Sequence, residues 1–216
     1  MGQPMTNDPS ETLRQLQRAR IGDPAALSEL FARHRDRLRR MVELRLDSRL
    51  QARIDASDVI QEAFLEVAGR LDDYLRDPKL PWFLWLRLVV GEQLVNLHRR
   101  HLGTRMRDPR REVSLFQEPL PQASSAALAA QLLGKFTSPS QAAVRAERLI
   151  RLQEAINSLD PIDREVLALR HFEQLNRAET ALALGVTEEA AAKRYIRALK
   201  RLKDMLAQMP GGLEGL

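Results

Sequence analysis

The sequence predicts an all-α fold of two small helical domains joined by a flexible linker. Apolar residues recur at helical spacing along most of the chain, between short stretches of proline, glycine and capping residues. Residues 104–137 interrupt this pattern with prolines, serines and alanines, although SSAALAAQLL within them could form a short helix. A helix-turn-helix pattern follows near the C-terminus. We therefore predict domains over residues 8–103 and 138–209, with the linker over 104–137.

The helix-turn-helix pattern lies in residues 176–205, which are NRAETALALGVTEEAAAKRYIRALKRLKDM. Asn176 and Glu179 are spaced as a capping box, which would open a short helix. Gly185 would end that helix because glycine adopts positive φ readily, and Thr187 would cap a second helix. The second helix is predicted to bury an apolar stripe. Its members are Ala191, Tyr195, Ala198, Leu199, Leu202 and Leu206.

The opposite face of this second helix is a candidate for contact with duplex DNA. Arginine and lysine pair with guanine in the major groove, and neighbouring cations neutralise phosphates. A solvated helix face is the alternative interpretation, but the caps, the turn glycine and the stripe together favour DNA binding. The outward residues are Glu189, Lys193, Ile196, Arg197 and Lys200, flanked by Arg194 and Arg201.

The composition excludes several classes of protein. The chain has 216 residues, of which 44% are hydrophobic, so each domain can bury a core. The net charge of +5 favours an anionic partner, and the absence of cysteine excludes disulfides and thiolate zinc sites. His98 and His101 have no third candidate ligand nearby, so we expect no metal and no cofactor. Without a signal-peptide pattern or an apolar run of membrane-spanning length, we expect a cytoplasmic protein with no membrane partner.

A third helix is predicted from the cap at Asp55 to about Leu71, and one of its faces is unusual. That face carries, at i, i+3, i+4 and i+7, Asp58, Gln61, Glu62 and Leu65. One interpretation is a solvated helix with a single exposed leucine. The other is an acidic docking face with an apolar anchor for a basic partner helix. The spacing alone favours neither interpretation.

Residues 81–103, PWFLWLRLVVGEQLVNLHRRHLG, predict a fourth helix that is aromatic at its start and basic at its end. The aromatic rings could stack on unpaired bases, and the later polar residues could contact bases or phosphates. Core packing is the alternative for the aromatic rings. It is favoured more strongly for Trp85 in mid-helix than for Trp82 beside a proline. The polar candidates are Gln93, Asn96, His98, Arg99 and Arg100.

Several segments resemble the extracytoplasmic-function (ECF) group of bacterial RNA polymerase sigma factors of the sigma-70 family. These segments are DASDVIQEAFLEV, WFLWLRLVVGEQLVNLHRRH, LDPIDREVLALRHFEQLNRAETALALGV and KRYIRALKRLK. Their order matches region 2, a linker and region 4 of those factors over nearly the whole chain. The segments SSAALAAQLL, TSPSQ and RYIRALKRLK resemble the planctomycete-type version. The resemblance implies a protein that binds core RNA polymerase and directs transcription initiation at promoters.

The resemblance also implies a role for each candidate surface. The polymerase-binding residues, which would contact the clamp helices of the largest subunit, are Asp58, Gln61, Glu62 and Leu65. The residues that would open and hold the −10 element are Trp82, Gln93, Asn96, His98, Arg99 and Arg100. The residues that would contact the −35 element are Thr187, Glu189, Lys193, Arg194, Arg197, Lys200 and Arg201. The polymerase flap is a further expected partner, and the resemblance leaves room for an anti-sigma factor.

The chain departs from the common pattern of that family at two places. Gly91-Glu92 stand where many members have Arg-Asn, which leaves the −10 specificity open. Ala191 and Ala192 stand where valine and lysine are frequent. The main −35 contacts would then come from Lys193, Arg194 and Arg197.

Two other classes of protein remain as alternatives. A stand-alone helix-turn-helix repressor or activator would need no polymerase docking face and usually needs a dimer interface. An enzyme acting on DNA, such as a recombinase or nuclease, would need a reactive group. Tyr195 lies on the predicted buried stripe, and Tyr74 lacks a partner base or a metal-ligand cluster. We therefore expect no enzymatic activity.

Overall fold

A computed structural model describes residues 9–102, 120–134 and 142–208. In these ranges every regular element is helical, which confirms the all-α prediction. The α-helices are α1 (Pro9–Arg20), α2 (Pro24–Arg45), α3 (Ala56–Arg76), α4 (Trp82–Leu102), α5 (Ser125–Gly134), α6 (Ala142–Asn157), α7 (Pro161–Leu167), α8 (Arg177–Leu184) and α9 (Glu188–Ala207). A π-helical turn, Ala168–Phe172, continues from α7. None of the helices described is long and apolar enough to cross a membrane.

The chain divides into two compact units, as the fold class predicts. The first unit comprises Met1–Val42 and Ser48–Leu120, and the second comprises Glu43–Asp47 and Pro121–Leu216. This division differs from the predicted domain boundaries because α5, from the predicted linker, belongs to the second unit, as do the last residues of α2. Residues 104–119 and 135–137 of the predicted linker lie outside the described residues.

The core of the first unit is formed by α2, α3 and α4. Leu30 and Leu38 of α2, Ile60 of α3 and Leu86 of α4 are almost fully buried. Each of these residues comes from the apolar side of an amphipathic helix, and burial of a side chain of this size contributes about 1.5–3 kcal/mol. The packing of these apolar sides determines which residues of α3 and α4 face outward.

The start of α3 is fixed by local hydrogen bonds. The Asp55 carboxylate accepts a hydrogen bond from the Ser57 backbone N–H at 2.6 Å, and the Asp58 carboxylate accepts one from the Asp55 N–H at 3.1 Å. This capping box satisfies backbone donors that the first turn of a helix leaves without partners. The predicted cap at Asp55 is therefore confirmed, and it fixes where the helical repeat of α3 begins.

The second unit includes one helix from the predicted linker. Leu128 and Leu133 of α5 lie in one apolar cluster with Leu152 and Ile156 of α6 and with Phe172 of the π-helical turn. The sequence allows a short helix at SSAALAAQLL but assigns it to the linker, whereas α5 belongs to the second unit and packs along α6. The apolar residues of SSAALAAQLL thus find a partner in α6 that local periodicity could not reveal.

A buried arginine joins this second unit. The Arg45 side chain is fully buried, and its guanidinium pairs with Glu173 at 2.6 Å and also with Glu165. Burial lowers the pKa of an arginine, but the two carboxylates more than offset this effect, so the pKa of Arg45 is raised. The arginine therefore stays charged and neutralises two acids of the second unit.

His34 of α2 is an ionisable residue in the core of the first unit. Its side chain is 2% exposed, and its ring lies 5.3 Å from the ring of Phe83. Neither ring nitrogen has a hydrogen-bond partner among the residues that the structure describes. Burial, followed by the charges of Arg37 and Arg33, lowers the pKa of His34 to about 4.

We expect His34 to make folding stability fall as the pH decreases from 6.5 to about 4. Above this range the imidazole is neutral in both states; within it, the unfolded chain binds a proton that the folded chain does not. The shift corresponds to roughly 3 kcal/mol. Urea unfolding at pH 7 and pH 5 should show a smaller loss for His34→Leu than for the wild type. His101→Leu, at an exposed histidine, is the control, and an undiminished loss in His34→Leu would contradict the prediction.

Candidate nucleic-acid interface

One side of α3 carries an exposed surface that we name the α3 acidic face. Its members are Asp58, Gln61, Glu62 and Leu65. Leu65 is 73% exposed although it is apolar, while Ile60 and Val67 bury the other side of the helix. The prediction that these four residues share an outward face is confirmed. At one edge, Arg100 of α4 lies 3.6 Å from Glu62, so the acidic face borders the basic end of α4.

The aromatic start of α4 belongs to the core. Trp82 is 4% exposed, and its ring lies 5.2 Å from Tyr74, on which Trp85 also stacks at 4.6 Å. The Tyr74 hydroxyl donates to the Leu80 carbonyl at 3.1 Å, and burial raises the pKa of Tyr74 to about 12. This geometry corrects the prediction for Trp82, because a ring packed in this cluster has no open face for an unpaired base. The half-buried Trp85 agrees with its predicted core role.

The C-terminal half of α4 exposes most of its predicted polar candidates. Asn96, Arg99 and Arg100 are exposed, and Gln93 is half-buried. His98 is buried because it lies on the same side of the helix as the buried Leu94 and Leu97, so its predicted contact with the −10 strand is corrected. The exposed residues form an edge with one amide and two cations.

At Gly91 the side chain of Leu120 lies close to the backbone of α4. A Cβ atom at this position would lie 1.9 Å from Cδ2 of Leu120. The next residue, Glu92, pairs at 2.5 Å with Arg70 of α3, which also pairs at 2.5 Å with Glu66. Both residues that depart from the family pattern therefore have structural partners within the first unit.

The helix-turn-helix has the predicted caps. Asn176 Oδ1 accepts a hydrogen bond from the Glu179 N–H at 2.8 Å, and Glu179 Oε2 accepts one from the Asn176 N–H at 2.9 Å. Gly185 ends α8 with φ of 64°, in the left-handed region. Thr187 Oγ1 accepts a hydrogen bond from the Ala190 N–H at 3.2 Å and caps α9. These local predictions are confirmed.

The buried stripe of α9 is narrower than predicted. Ala191, Ala198 and Leu202 are buried, and Tyr195 is partly buried. Leu199 is 40% exposed, which corrects its assignment to the stripe. It follows Ala198 by one residue, or about 100° around the helix, and this rotation moves it to the edge of the packed side.

The outward side of α9 presents exposed charged residues around an exposed isoleucine. Glu189 and Lys193 pair at 2.5 Å across one helical turn, and both are largely exposed. Lys200 and Ile196 are also exposed, as is the cap residue Thr187. These residues lie where a duplex could reach them.

The three arginines of α9 contact acids of α7. Arg197 donates from Nε to Asp163 Oδ2 at 3.0 Å and from Nη2 to Oδ1 at 2.8 Å. Arg194 reaches Asp163 at 3.5 Å, and Arg201 lies 3.4 Å from Asp160. The Arg197 hydrogen bonds hold the pKa of Asp163 below its usual value despite its burial. This cluster could not be predicted from the sequence, because an aspartate in the first turn of a helix is common.

A cleft opens between α8 and α9. It is lined by Arg170, Arg177, Thr180, Ala191, Ala192, Tyr195 and Ile196. The guanidinium of Arg170 lies 5.5 Å from the Tyr195 ring, within cation–π range. The small side chains at positions 191 and 192 leave this space open. No group of three or more residues suited to a metal ion occurs in the part of the chain that the structure describes.

Comparisons with known proteins identify the family. Residues 149–202 match the model of sigma-70, region 4. Over 183 residues the chain is 30% identical to the ECF RNA polymerase sigma factor SigD of Mycobacterium tuberculosis, covering 85% of this chain and 78% of SigD. The chain belongs to the ECF RNA polymerase sigma factors. As a sigma factor, it directs transcription initiation.

Two further comparisons agree with this family. The sigma factor is 27% identical over 202 residues to the RNA polymerase sigma factor NccH of Alcaligenes xylosoxydans xylosoxydans, covering 92% of this chain and 96% of NccH. Its fold is similar to the structure of CnrH in complex with the cytosolic domain of CnrY. That likeness has a TM-score of 0.54 at 22% identity, over 92% of this chain and 99% of CnrH.

The contact at Gly91 of the sigma factor predicts a specific coupling. Gly91→Ala should lose most or all of the about 0.5–1 kcal/mol that alanine normally adds in a helix, because the end of the Leu120 side chain must move to admit the new methyl group. Leu120→Ala in the same chain should relieve most of that loss, and the coupling can be measured in a double-mutant cycle by urea unfolding.

The matched control is Gly69→Ala on α3, where an added Cβ meets no atom within 4 Å. This change should stabilise the helix by about 0.5–1 kcal/mol. Strictly additive effects of Gly91→Ala and Leu120→Ala would contradict the proposed steric conflict.

Proposed function

We propose that this sigma factor binds core RNA polymerase through the α3 acidic face and contacts promoter DNA through α4 and α9. The observation that carries the proposal is the exposed α3 acidic face with the apolar Leu65 among its polar residues. Region 2 would extend over residues 8–103 and region 4 over 138–209. The resemblance to sigma factors supports the polymerase clamp helices as the target of region 2 and the flap as a target of region 4.

The α3 acidic face has the properties of a docking site for a basic helix. Its carboxylates provide electrostatic complementarity, which steers association and fixes the register of two partners. Leu65 provides an apolar anchor, whose burial in a partner would contribute about 1.5–3 kcal/mol. A stand-alone repressor would not need such a face. A test of binding to core polymerase therefore distinguishes the two functions.

The C-terminal half of α4 is proposed to hold the opened −10 strand. The exposed Asn96 provides donors and an acceptor for a base edge, and Arg99 and Arg100 provide charge for phosphates. Gln93 is a further candidate at the same end. Trp82 and His98 are left out because both are buried.

The outward side of α9 is proposed to contact the −35 element in the major groove. Thr187, Glu189, Lys193 and Lys200 are exposed on this helix and its cap. Lysine can pair with guanine and neutralise phosphates, whereas glutamate can accept from cytosine N4. We do not assign base contacts to Arg194, Arg197 and Arg201, because their side chains pair with Asp160 and Asp163 at the start of α7.

Three finer assignments complete the proposal. The segments SSAALAAQLL, TSPSQ and RYIRALKRLK support a place in the planctomycete-type group. The complex of CnrH with the cytosolic domain of CnrY supports a protein partner of the anti-sigma kind. Action on promoter DNA with core polymerase supports a cytoplasmic location and a role that requires no enzymatic activity of its own.

Charge reversal on the α3 acidic face tests the proposed function. In run-off transcription with core polymerase on promoters selected from a random library, the wild type should give defined transcripts. Asp58→Lys with Glu62→Lys should weaken core binding by at least about tenfold and reduce those transcripts, because the new lysines repel a basic partner.

Asp58→Lys also removes one half of the α3 capping box, and Asp55→Ala, which removes the other half without changing the face, is the control for the cap. The matched charge control is Asp36→Lys with Asp73→Lys, which changes the net charge equally at exposed acids outside the face. It should retain core binding and transcripts. If the double variant at Asp58 and Glu62 binds core polymerase normally with unchanged helical circular dichroism, the face has no part in docking.

The basic end of α4 should act on the single strand. Arg99→Ala with Arg100→Ala should reduce the permanganate-reactive thymines near the start site, because phosphates of the open strand lose their counter-charges. Binding of the closed duplex should be spared. A template with a pre-melted −10 segment should restore part of the activity, since unpairing costs a few kcal/mol that the template then supplies.

The control for this variant is Arg20→Ala with Arg53→Ala, at exposed arginines on other elements of the first unit. It should open promoters normally. Normal opening by the Arg99 and Arg100 variant would place the melting function elsewhere in the chain.

A further inference from the structure

Asp163 is a buried acid on which the cations of the recognition helix α9 converge. It lies in the first turn of α7, and it is 0% exposed. Arg197 meets both of its oxygens with a two-pronged pair of hydrogen bonds, and Arg194 and Arg201 approach the same carboxylate at 3.5 Å and 3.8 Å. The Arg197 side chain is nevertheless 47% exposed, so solvent and ligands can reach part of it.

The hydrogen bonds to Asp163 determine which N–H donors of Arg197 remain available to DNA. Guanine recognition by arginine uses two parallel N–H donors on one edge of the guanidinium. The Nε and Nη2 edge faces Asp163, so the Nη1 and Nη2 edge is the one that remains for a ligand while the pair is intact. Withdrawing Arg197 to the groove would leave a buried carboxylate with the longer contacts alone. An uncompensated buried charge is strongly unfavourable, so Arg197 is held at α7.

We propose that Asp163 is a positioning residue for −35 recognition, which holds Arg197 and Arg194 against α7 and leaves Lys193, Ile196 and Lys200 to face the DNA. This inference rests on the proposed −35 function of α9. The pairing ties the middle of α9 to α7 on the side where Ala198 is buried, and it thereby fixes the rotation of α9 about its own axis. A fixed rotation presents the same side chains to each base step.

The pairing also lowers the number of cations that α9 offers to phosphates. Arg194, Arg197 and Arg201 lie next to Asp160 and Asp163, so the helix carries less available charge than its sequence indicates. Phosphate contacts strengthen binding to every sequence alike, whereas base contacts distinguish sequences. Withholding arginines from phosphates therefore favours discrimination over general affinity.

Asp163→Asn in the full chain is the first test. Binding is measured against salt on a −35 duplex selected from a random library and on a scrambled duplex of the same length. The released Arg197 should add about one phosphate contact, so the slope of log K against log salt steepens by roughly one. The scrambled duplex should bind several-fold more tightly, and the ratio of specific to scrambled affinity should fall by about tenfold.

Glu154→Gln is the matched control, since it makes the same charge change at an exposed acid on α6 of the same unit. It should leave the ratio unchanged. An equal loss on both duplexes with an unchanged slope would show that Asp163 only supports the fold. The same steepening in Glu154→Gln would assign the effect to net charge. Either result overturns the proposal.

A second variant keeps the test valid if Asp163→Asn fails to fold. Arg197→Gln should lower the specificity ratio and keep the wild-type salt slope, because no phosphate contact is lost. Lys193→Gln should reduce the slope by about one. A reduced slope in Arg197→Gln would show that this arginine contacts DNA directly and would overturn the proposal.

Nuclear magnetic resonance of the arginine Nε–H groups tests the pairing without any promoter. The Arg197 Nε–H signal should exchange slowly with water in the wild type and should persist when the −35 duplex is added. Rapid exchange, or a shift of this signal on DNA binding, would overturn the proposal. A wild-type chain with slow Arg197 exchange that binds all duplexes equally would instead contradict the −35 function and, with it, the role of Asp163 in recognition.

Discussion

The burial of one side of each functional helix is the constraint on which the rest of this sigma factor depends. On α3, the burial of Ile60 and Val67 turns Leu65 to the outside among acids. On α9, the burial of Ala198 turns Lys193 outward. A rotation of either helix by one residue would exchange buried and exposed side chains, at a cost of about 1.5–3 kcal/mol for each large apolar group exposed. The interface residues therefore owe their positions to residues that never meet a partner.

Features fixed by local spacing were predictable from the sequence, and features fixed by distant partners were not. The capping boxes at Asp55 and Asn176 involve residues at most three positions apart, so their chemistry is visible in the sequence. The burial of Trp82 depends on its contact with the Tyr74 ring, and the close contact at Gly91 depends on the Leu120 side chain. The pairing of Asp163 with α9 depends on a fold that brings α7 to that helix. Helical periodicity carries no information about such partners.

Two buried ionic clusters share the second unit, and they differ in what they can contribute. Arg45 lies fully inside between Glu165 and Glu173, so its desolvation cost is large and its pairing largely offsets that cost. Asp163 is equally buried, but Arg197 reaches it from a half-exposed position. The first cluster therefore acts on the stability of the unit alone. The second cluster lies between the core and the surface that is proposed to contact the −35 element, so it would fix the position of that surface relative to the core.

The departures from the family pattern on α4 follow the same logic. Gly91 has no side chain where many members have an arginine, and Leu120 fills the space. Glu92 gives up an amide and pairs with Arg70 of α3. Both changes remove possible contacts with the promoter and add contacts inside the first unit. Under the proposed −10 function of α4, recognition of the strand would then depend on the exposed residues nearer the end of the helix, such as Asn96. Because those residues lie more than a helical turn from Gly91, a −10 preference that differs from that of relatives with Arg-Asn is the physical consequence.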